Sequence, residues 1–262
     1  MKNVRIYGES PYRVAVVHGG PGIAGAVAPV ADELSRTIGV LEPLQTIDSL
    51  EGQVIEWQDV LKEHGSIPVI LIGHSWGAFL SLIVASRFPL LVKKLVLVSG
   101  GPFEENYADI INTERLNRLT EAERIEVFDL MEIIDGSAAG DKDNAMSRLN
   151  GLFARADTYS LLPQPENDIL VFSEEINRRV WAEAKPLVTG GEILRMAEKI
   201  KCPVVAIHGD YDTHLPEGVK EPLSRVLKDF KFILLEKCGH EPWLETFARD
   251  KFYKILKNEL EY

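Results

Sequence analysis

Residues 68–85 read P-V-I-L-I-G-H-S-W-G-A-F-L-S-L-I-V-A, and the order of three pieces within that stretch decides the fold. P-V-I-L-I is a short, continuously apolar run, as a central parallel strand requires because it is buried on both faces. W-G-A-F-L-S-L-I-V-A reads as a buried helix. Between them, residues 73–77 give G-H-S-W-G. Such a G-x-S-x-G match arises by chance in roughly one chain in ten of this length, with Gly and Ser each near 7%. Strand, motif and helix in that order is much rarer. Glycine at 73 and 77 permits a sharp turn where side chains would collide with neighbouring backbone. The turn leaves the Ser75 hydroxyl projecting above the sheet, at the positive end of the following helix.

Working outward, other short apolar runs alternate with amphipathic stretches, the pattern of βαβ units forming a parallel sheet. Arg13 to Val17 (R-V-A-V-V), Val40 to Leu44 and Lys94 to Val98 (K-L-V-L-V) read as further strands, and P-V-V-A-I at 203–207 and F-K-F-I-L-L at 230–235 complete the series. Leu50, Val54, Trp57 and Leu61 recur at spacings of four and three, which predicts a helix packing one face on that sheet. Helix-like segments also occupy 221–228 and the stretch from Pro242 to the C-terminus.

A serine hydroxyl is a poor nucleophile alone; it needs a base within reach, itself held in one tautomer. The six histidines are His18, His64, His74, His208, His214 and His240. His240 follows the last expected strand in L-L-E-K-C-G-H-E-P-W, on the rim where sites of parallel sheets form. Asp212 lies in H-G-D-Y-D-T-H, past the preceding strand on the same rim, and Asp210 competes with it as the acid. Residues 18–22, H-G-G-P-G, follow the strand R-V-A-V-V; such a turn aims backbone N–H groups into the site. The N–H groups of Gly20 and Trp76 are the expected oxyanion donors. His208 and His214 flank the acid, but no second ligand cluster with metal spacing accompanies them, so neither a metal nor another cofactor is expected.

The 29 Lys and Arg stand against 40 Asp and Glu, a formal charge of −11 that disfavours nucleic acid and anionic membranes as partners. Two cysteines, Cys202 and Cys238, imply no disulfide framework. The N-terminal M-K-N-V-R-I-Y-G has no signal-like apolar run and no segment reaches membrane-spanning length, which makes the cytoplasm the expected location. After Gly100-Gly101 the chain becomes helix-like and charged as far as about Arg195, with breaks at G-S-A-A-G (136–140) and P-Q-P (163–165), and residues 101–195 carry −9 of the −11. The chain therefore divides into a core of 1–100 with 196–262 and a helical cap insertion of 101–195.

The ordered set H-G-G-P-G, G-H-S-W-G, G-D-Y-D and G-H-E, with a helical insertion after the strand ending at Val98, resembles the α/β-hydrolase fold superfamily over nearly the whole chain. That resemblance implies an α/β fold, a mostly parallel sheet flanked by helices and a cap. It implies a serine nucleophile at Ser75, a general base at His240 and, at the fourth position of G-x-x-D, the acid Asp212. H-G-G-P-G further resembles the proline iminopeptidases, which usually carry D-Q-R-G-x-G-x-S after the next strand; here residues 40–46 read V-L-E-P-L-Q-T. The implied activity is hydrolysis of a small-molecule ester or amide, or of a short peptide. In an aminopeptidase-like variant, Glu104, Glu105, Glu174 or Glu175 of the cap would pair with a substrate amine. Trp76, Phe103, Tyr159 and Trp181 are candidate lining residues. From another class, the chain could be a ligand-binding protein that keeps the three residues as a relic.

Overall fold

The structure is a computed structural model describing residues 3–163 and 170–261, so the expected P-Q-P break lies partly outside the described residues. Its strands are β1 (Val4–Tyr7), β2 (Tyr12–Val17), β3 (Ile23–Ala24), β4 (Gly39–Pro43), β5 (Val69–His74), β6 (Val92–Val98), β7 (Val171–Phe172), β8 (Val204–Gly209) and β9 (Phe230–Leu235). Seven form one sheet in the order β1-β4-β2-β5-β6-β8-β9, parallel throughout except for β1, which runs antiparallel to β4. β3 and β7 make a separate two-residue antiparallel pairing. β5 is central, and every residue of V-I-L-I-G-H is buried, as its apolar run requires.

The strands alternate their side chains between two cores. Ala15, Val17, Leu71, Leu95, Leu97 and Ala206 enter one, while Val14, Val16, Ile70, Ile72, Val96 and Ile207 enter the other, the two-residue period of a pleated strand. α1 (Ala28–Ser35) and α11 (Arg249–Leu260) cover the second face through Val30, Leu34, Phe252 and Leu256. α2 (Leu50–His64) and α3 (Trp76–Arg87) cover the first. The face expected from Leu50, Val54, Trp57 and Leu61 is buried in α2, whose start is capped by the Ser49 hydroxyl accepting from the Gly52 N–H at 3.2 Å. α3 is buried on all sides from Trp76 to Ala85, which follows from a sequence apolar all round.

Between β6 and β8 come α4 (Glu105–Ala108), α5 (Ile110–Asn117), α6 (Glu121–Asp135), α7 (Lys142–Ala156), α8 (Glu174–Thr189) and α9 (Glu192–Ala197), and α10 (Glu217–Val226) follows β8. Packing divides this insertion in two. Leu119, Val127, Leu149, Leu152 and Ala156 make a small core of their own, whereas Val180, Ala184 and Val188 of α8 and Ile193 and Ala197 of α9 join the first main core. α8 and α9 thus hold the insertion to the sheet, and α5 to α7 form the outlying part. The strands missing from the sequence reading are β1, β3 and β7. β1 is a four-residue edge strand whose alternate residues Arg5 and Tyr7 are polar, and β3 and β7 are too short to carry a periodic signal.

Leu71, fully buried at the middle of β5, is a direct probe of this layering. Leu71→Ala is expected to lower unfolding free energy by about 2–5 kcal/mol in urea titration, against no more than about 0.5 kcal/mol for Ile6→Ala on the exposed edge strand.

Candidate active site

The six parallel strands deliver their C-terminal ends to one rim, and Ser75, Asp212 and His240 emerge there. Ser75 directly follows β5 with φ 52° and ψ −117°, a backbone conformation a side chain adopts only under strain, of order 1–3 kcal/mol. Its N–H donates to the Val98 carbonyl at 3.0 Å and its carbonyl accepts from the Ala78 N–H at 3.0 Å, which fixes the turn between β6 and the first turn of α3. The glycines are required here. A Cβ on Gly73 would overlap the Gly77 carbonyl, and one on Gly77 would overlap the Val17 carbonyl. A Cβ on Gly19 would stand 2.8 Å from His74 Nδ1 and 3.0 Å from Ser75 Cβ, so the 18–22 turn lies directly against the turn at Ser75.

Asp212 is the acid that meets His240: His240 Nδ1 lies 2.8 Å from Asp212 Oδ2. Asp210 instead accepts from the Cys238 N–H at 3.2 Å and serves its loop. Asp212 carries two further histidines. Oδ1 accepts from the His214 N–H at 2.9 Å and lies 3.0 Å from His214 Nδ1, while His208 Nε2 stands 3.3 Å from Oδ2 and 2.6 Å from the His214 carbonyl. His214 and His240 stack with ring centroids 4.3 Å apart and planes 23° from parallel. His74 supports His240 from beneath, with Nε2 3.0 Å from the His240 carbonyl.

These contacts set the charge states. Burial disfavours the Asp212 carboxylate, yet the positive character of His240 and His214 and the hydrogen bonds from His208 and His214 outweigh it, and the acid sits well below the ordinary carboxylate range. Burial likewise opposes charging of His240, but the Asp212 carboxylate, by charge and hydrogen bond, lifts it above the usual histidine value. Burial and the neighbouring His240 push His214 and, further, His74 down, which keeps both neutral.

Ser75, His74, His214 and His240 line one cavity of about 970 Å³ together with Gly19, Gly20 and Trp181. Its apolar wall includes Ile23, Leu170, Trp181, Trp243 and Leu244. Ser75 Oγ has no hydrogen-bond partner among the described residues. Gly20, at φ +48°, lines the same cavity. Trp76 is the first residue of α3, so its N–H is among those a helix leaves unpaired. The Asp212, His214 and His240 ligand atoms lie within 4.8 Å of one another, near enough for a divalent cation. Both Nδ1 atoms, however, are taken by the carboxylate.

Of the other residues expected at the site, Trp181 lines the cavity and packs, tilted by 59° with centroids 5.2 Å apart, against the buried Trp76. Phe103 is buried against Phe79, and Tyr159 packs edge-on to Tyr211 and Phe247 at the surface. The cap carboxylates do not come to the cleft. Glu104 pairs with Arg225, and Glu105, Glu174 and Glu175 are exposed, as charged residues on the first turns of amphipathic helices are where water solvates them best. The carboxylates that line the cavity are instead Asp32 and Glu241, the latter raised by burial above the usual carboxylate value.

The sequence reading missed Gln45, which sits in the V-L-E-P-L-Q-T stretch. Its Nε2 donates to the His18 carbonyl at 3.1 Å and its Oε1 accepts from Trp76 Nε1 at 3.0 Å, so one buried amide ties the glycine turn to the nucleophile helix. His18 holds the same turn through the Gly19 and Leu44 carbonyls. A glutamine after a weak strand gives no local signal of such a role. Also missed was Asp157, at the end of α7: its carbonyl accepts from the His240 N–H at 2.9 Å, and its carboxylate holds Thr213 and receives Arg115 bidentately.

A family model described as alpha/beta hydrolase fold matches residues 52–246. The chain belongs to the α/β-hydrolase fold family. Within that family it is 24% identical over 258 residues to a pimeloyl-[acyl-carrier protein] methyl ester esterase of Neisseria meningitidis serogroup A, covering 90% of this chain and 74% of that protein. It is 28% identical over 212 residues to a 2-hydroxy-6-oxononadienedioate/2-hydroxy-6-oxononatrienedioate hydrolase of Escherichia coli K12, covering 79% of this chain and 65% of that one. Among solved structures it superposes on VinJ with a TM-score of 0.68 at 17% identity, over 98% of this chain and 94% of that one. On a Mycobacterium smegmatis proline iminopeptidase the TM-score is 0.64 at 18% identity, covering 98% and 93%. The family assignment makes the protein one of a hydrolytic group with a mostly parallel sheet.

The electrostatics of this α/β-hydrolase site yield a test that needs no substrate. In an NMR titration, the His240 imidazole is expected to titrate above the ordinary histidine value of about 6.5. In Asp212→Asn it should titrate below that value, because the carboxylate that favours the imidazolium is gone and burial then acts alone. An unshifted midpoint would contradict the pairing.

Proposed function

We propose that this protein is a serine hydrolase that cleaves a small ester or amide through an acyl-enzyme on Ser75. The observation that carries the reading is a strained Ser75 lining one cavity with a histidine whose Nδ1 is bonded to a buried carboxylate at 2.8 Å. Ser75 Oγ attacks the carbonyl carbon while His240 Nε2 takes its proton, and Asp212 steadies the imidazolium that forms. The Gly20 and Trp76 N–H groups receive the developing oxyanion, each worth on the order of 3 kcal/mol in the transition state. His240 then protonates the leaving group, and water releases the acid by the same route in reverse. Serine, histidine and aspartate supply every proton movement, so the reaction needs no cofactor.

Treatment with a fluorophosphonate probe is expected to add one mass increment at Ser75, and Ser75→Ala should abolish both labelling and ester turnover. Absence of labelling under conditions that label a known serine esterase would remove the hydrolase reading. It would favour a ligand-binding protein, especially if Ser75→Ala leaves ligand affinity unchanged.

Substrate preference within that chemistry follows from the wall. A cavity near the upper end of the range for small-molecule sites, with Ile23, Leu170, Trp243 and Leu244 around it, suits an ester with an apolar acyl group of several carbons. The methyl ester esterase among the relatives agrees with that class. The aminopeptidase-like reading loses its proposed amine anchors, since Glu104, Glu105, Glu174 and Glu175 do not line the cavity. In a series of p-nitrophenyl esters, kcat/KM should rise from acetate toward medium chains. Aminoacyl arylamides should be turned over no faster with a free amine than after N-acetylation. A strict requirement for the free amine would reverse the preference. A small-molecule substrate and the cytoplasm are the partner and location that fit this reading. No helix among the described residues is long and apolar enough to cross a membrane.

A further inference from the structure

Besides His208, the carboxylate of Asp212 holds the Nδ1 atoms of two cavity-lining imidazoles, one on each oxygen, and the hydrolase reading uses only one of them. His240 Nδ1 takes Oδ2 at 2.8 Å, and His214 Nδ1 takes Oδ1 at 3.0 Å. An ionised carboxylate only accepts hydrogen bonds, so in both rings Nδ1 carries the proton and the neutral ring keeps its lone pair on Nε2. Both rings line the cavity that Ser75 lines, stacked at 4.3 Å. The site therefore offers two acceptor nitrogens from adjacent rings where transfer of one proton needs one.

The chemistry distinguishes the two half-reactions. Ser75 has a single hydroxyl proton, which His240 takes during acylation, leaving His214 nothing to accept. The water that attacks the acyl-enzyme has two protons. One must go to His240 as the new carbon–oxygen bond forms, and the other must be held by an acceptor if the oxygen's lone pair is to face the acyl carbon. We propose that His214 is a water-positioning catalytic residue for deacylation, its Nε2 accepting the second hydrogen of the hydrolytic water while His240 removes the first. This rests on the acyl-enzyme reading above. In the step, the water oxygen bonds to the acyl carbon and its proton passes to His240 Nε2. Collapse of the tetrahedral intermediate then breaks the bond to Ser75 Oγ, which recovers the proton from His240. The second hydrogen stays on the oxygen and leaves with the carboxylic acid product.

The alternative is that His214 only braces Asp212. A brace would affect both half-reactions alike, because His240 and Asp212 serve both. Methanol separates the two roles, since it has a single hydroxyl proton and needs only His240. His214→Phe keeps a ring against His240 and the backbone N–H bond to Asp212 but has no acceptor. With a p-nitrophenyl ester and a fixed methanol concentration, the ratio of methyl ester to acid product is expected to rise about tenfold over wild type, the scale of one lost hydrogen bond. Acyl-Ser75 should accumulate by mass spectrometry. His214→Leu, smaller and equally without an acceptor, gives the same readout should Phe not be accommodated. A product ratio equal to wild type in the folded variants overturns the role of His214, whatever happens to overall rate. A wild-type protein that forms no acyl-Ser75 overturns instead the hydrolase reading.

Discussion

A carboxylate with essentially no contact with water sits at the centre of this molecule's rim, and burying a charge is tolerable only when its lone pairs are filled. Asp212 meets that condition with three histidines and a backbone N–H, drawn from β8, the loop after it and the loop after β9. The requirement organises the neighbourhood. His240 is held in one tautomer because the acid can only accept, and His74 stays neutral beneath because burial, and after it the neighbouring His240, disfavours its charge. The strained Ser75 turn is tolerated because β5, β6 and α3 are buried around it and determine its position.

The outlying part of the insertion is bound to that rim by buried acids rather than by an apolar seam. Glu245 accepts from the Gly239, Tyr159 and Ser160 N–H groups at 2.7, 2.8 and 2.7 Å, which joins the loop carrying His240 to the segment after α7. Asp157 grips Thr213 and the His240 N–H from the same segment. The insertion and the loops that carry Asp212 and His240 therefore share hydrogen bonds, so a displacement of the segment after α7 would reach both loops through short, direct contacts.

The sheet and the rim were legible because each depends on local signals. Near-continuous apolar runs mark β5 and β6, and the glycines at 73 and 77 are dictated by backbone clashes that no side chain could relieve. The choice of Asp212 over Asp210 was legible from motif position and agrees with where the two side chains go. Gln45, Asp157 and the second imidazole on Asp212 were not legible. Their roles come from contacts between residues far apart in the chain, and nothing in their own neighbourhoods encodes the partner. β1 was unreadable for a different reason: an edge strand with polar alternate residues has neither the length nor the apolar run of a buried one.

The acidic insertion shows why charge counted along a sequence misleads about charge at a site. Several of its carboxylates are paired at the surface, Glu123 with Arg155, Glu126 with Arg148, Glu104 with Arg225 and Glu192 with Arg195, and others such as Glu105 and Glu174 are exposed to water. Exposed pairs of this kind contribute little to stability and are screened within about a Debye length of 8–10 Å. The charged groups at the cavity are few: Arg115, neutralised by Asp157, the Asp212–His240 pair, Asp32 and Glu241. Among these, the Arg115 cation is already matched by the buried carboxylate it grips. Trp181, Trp243, Ile23 and Leu244 line the rest of that cavity, so the acidity summed over the chain does not describe the surface around Ser75.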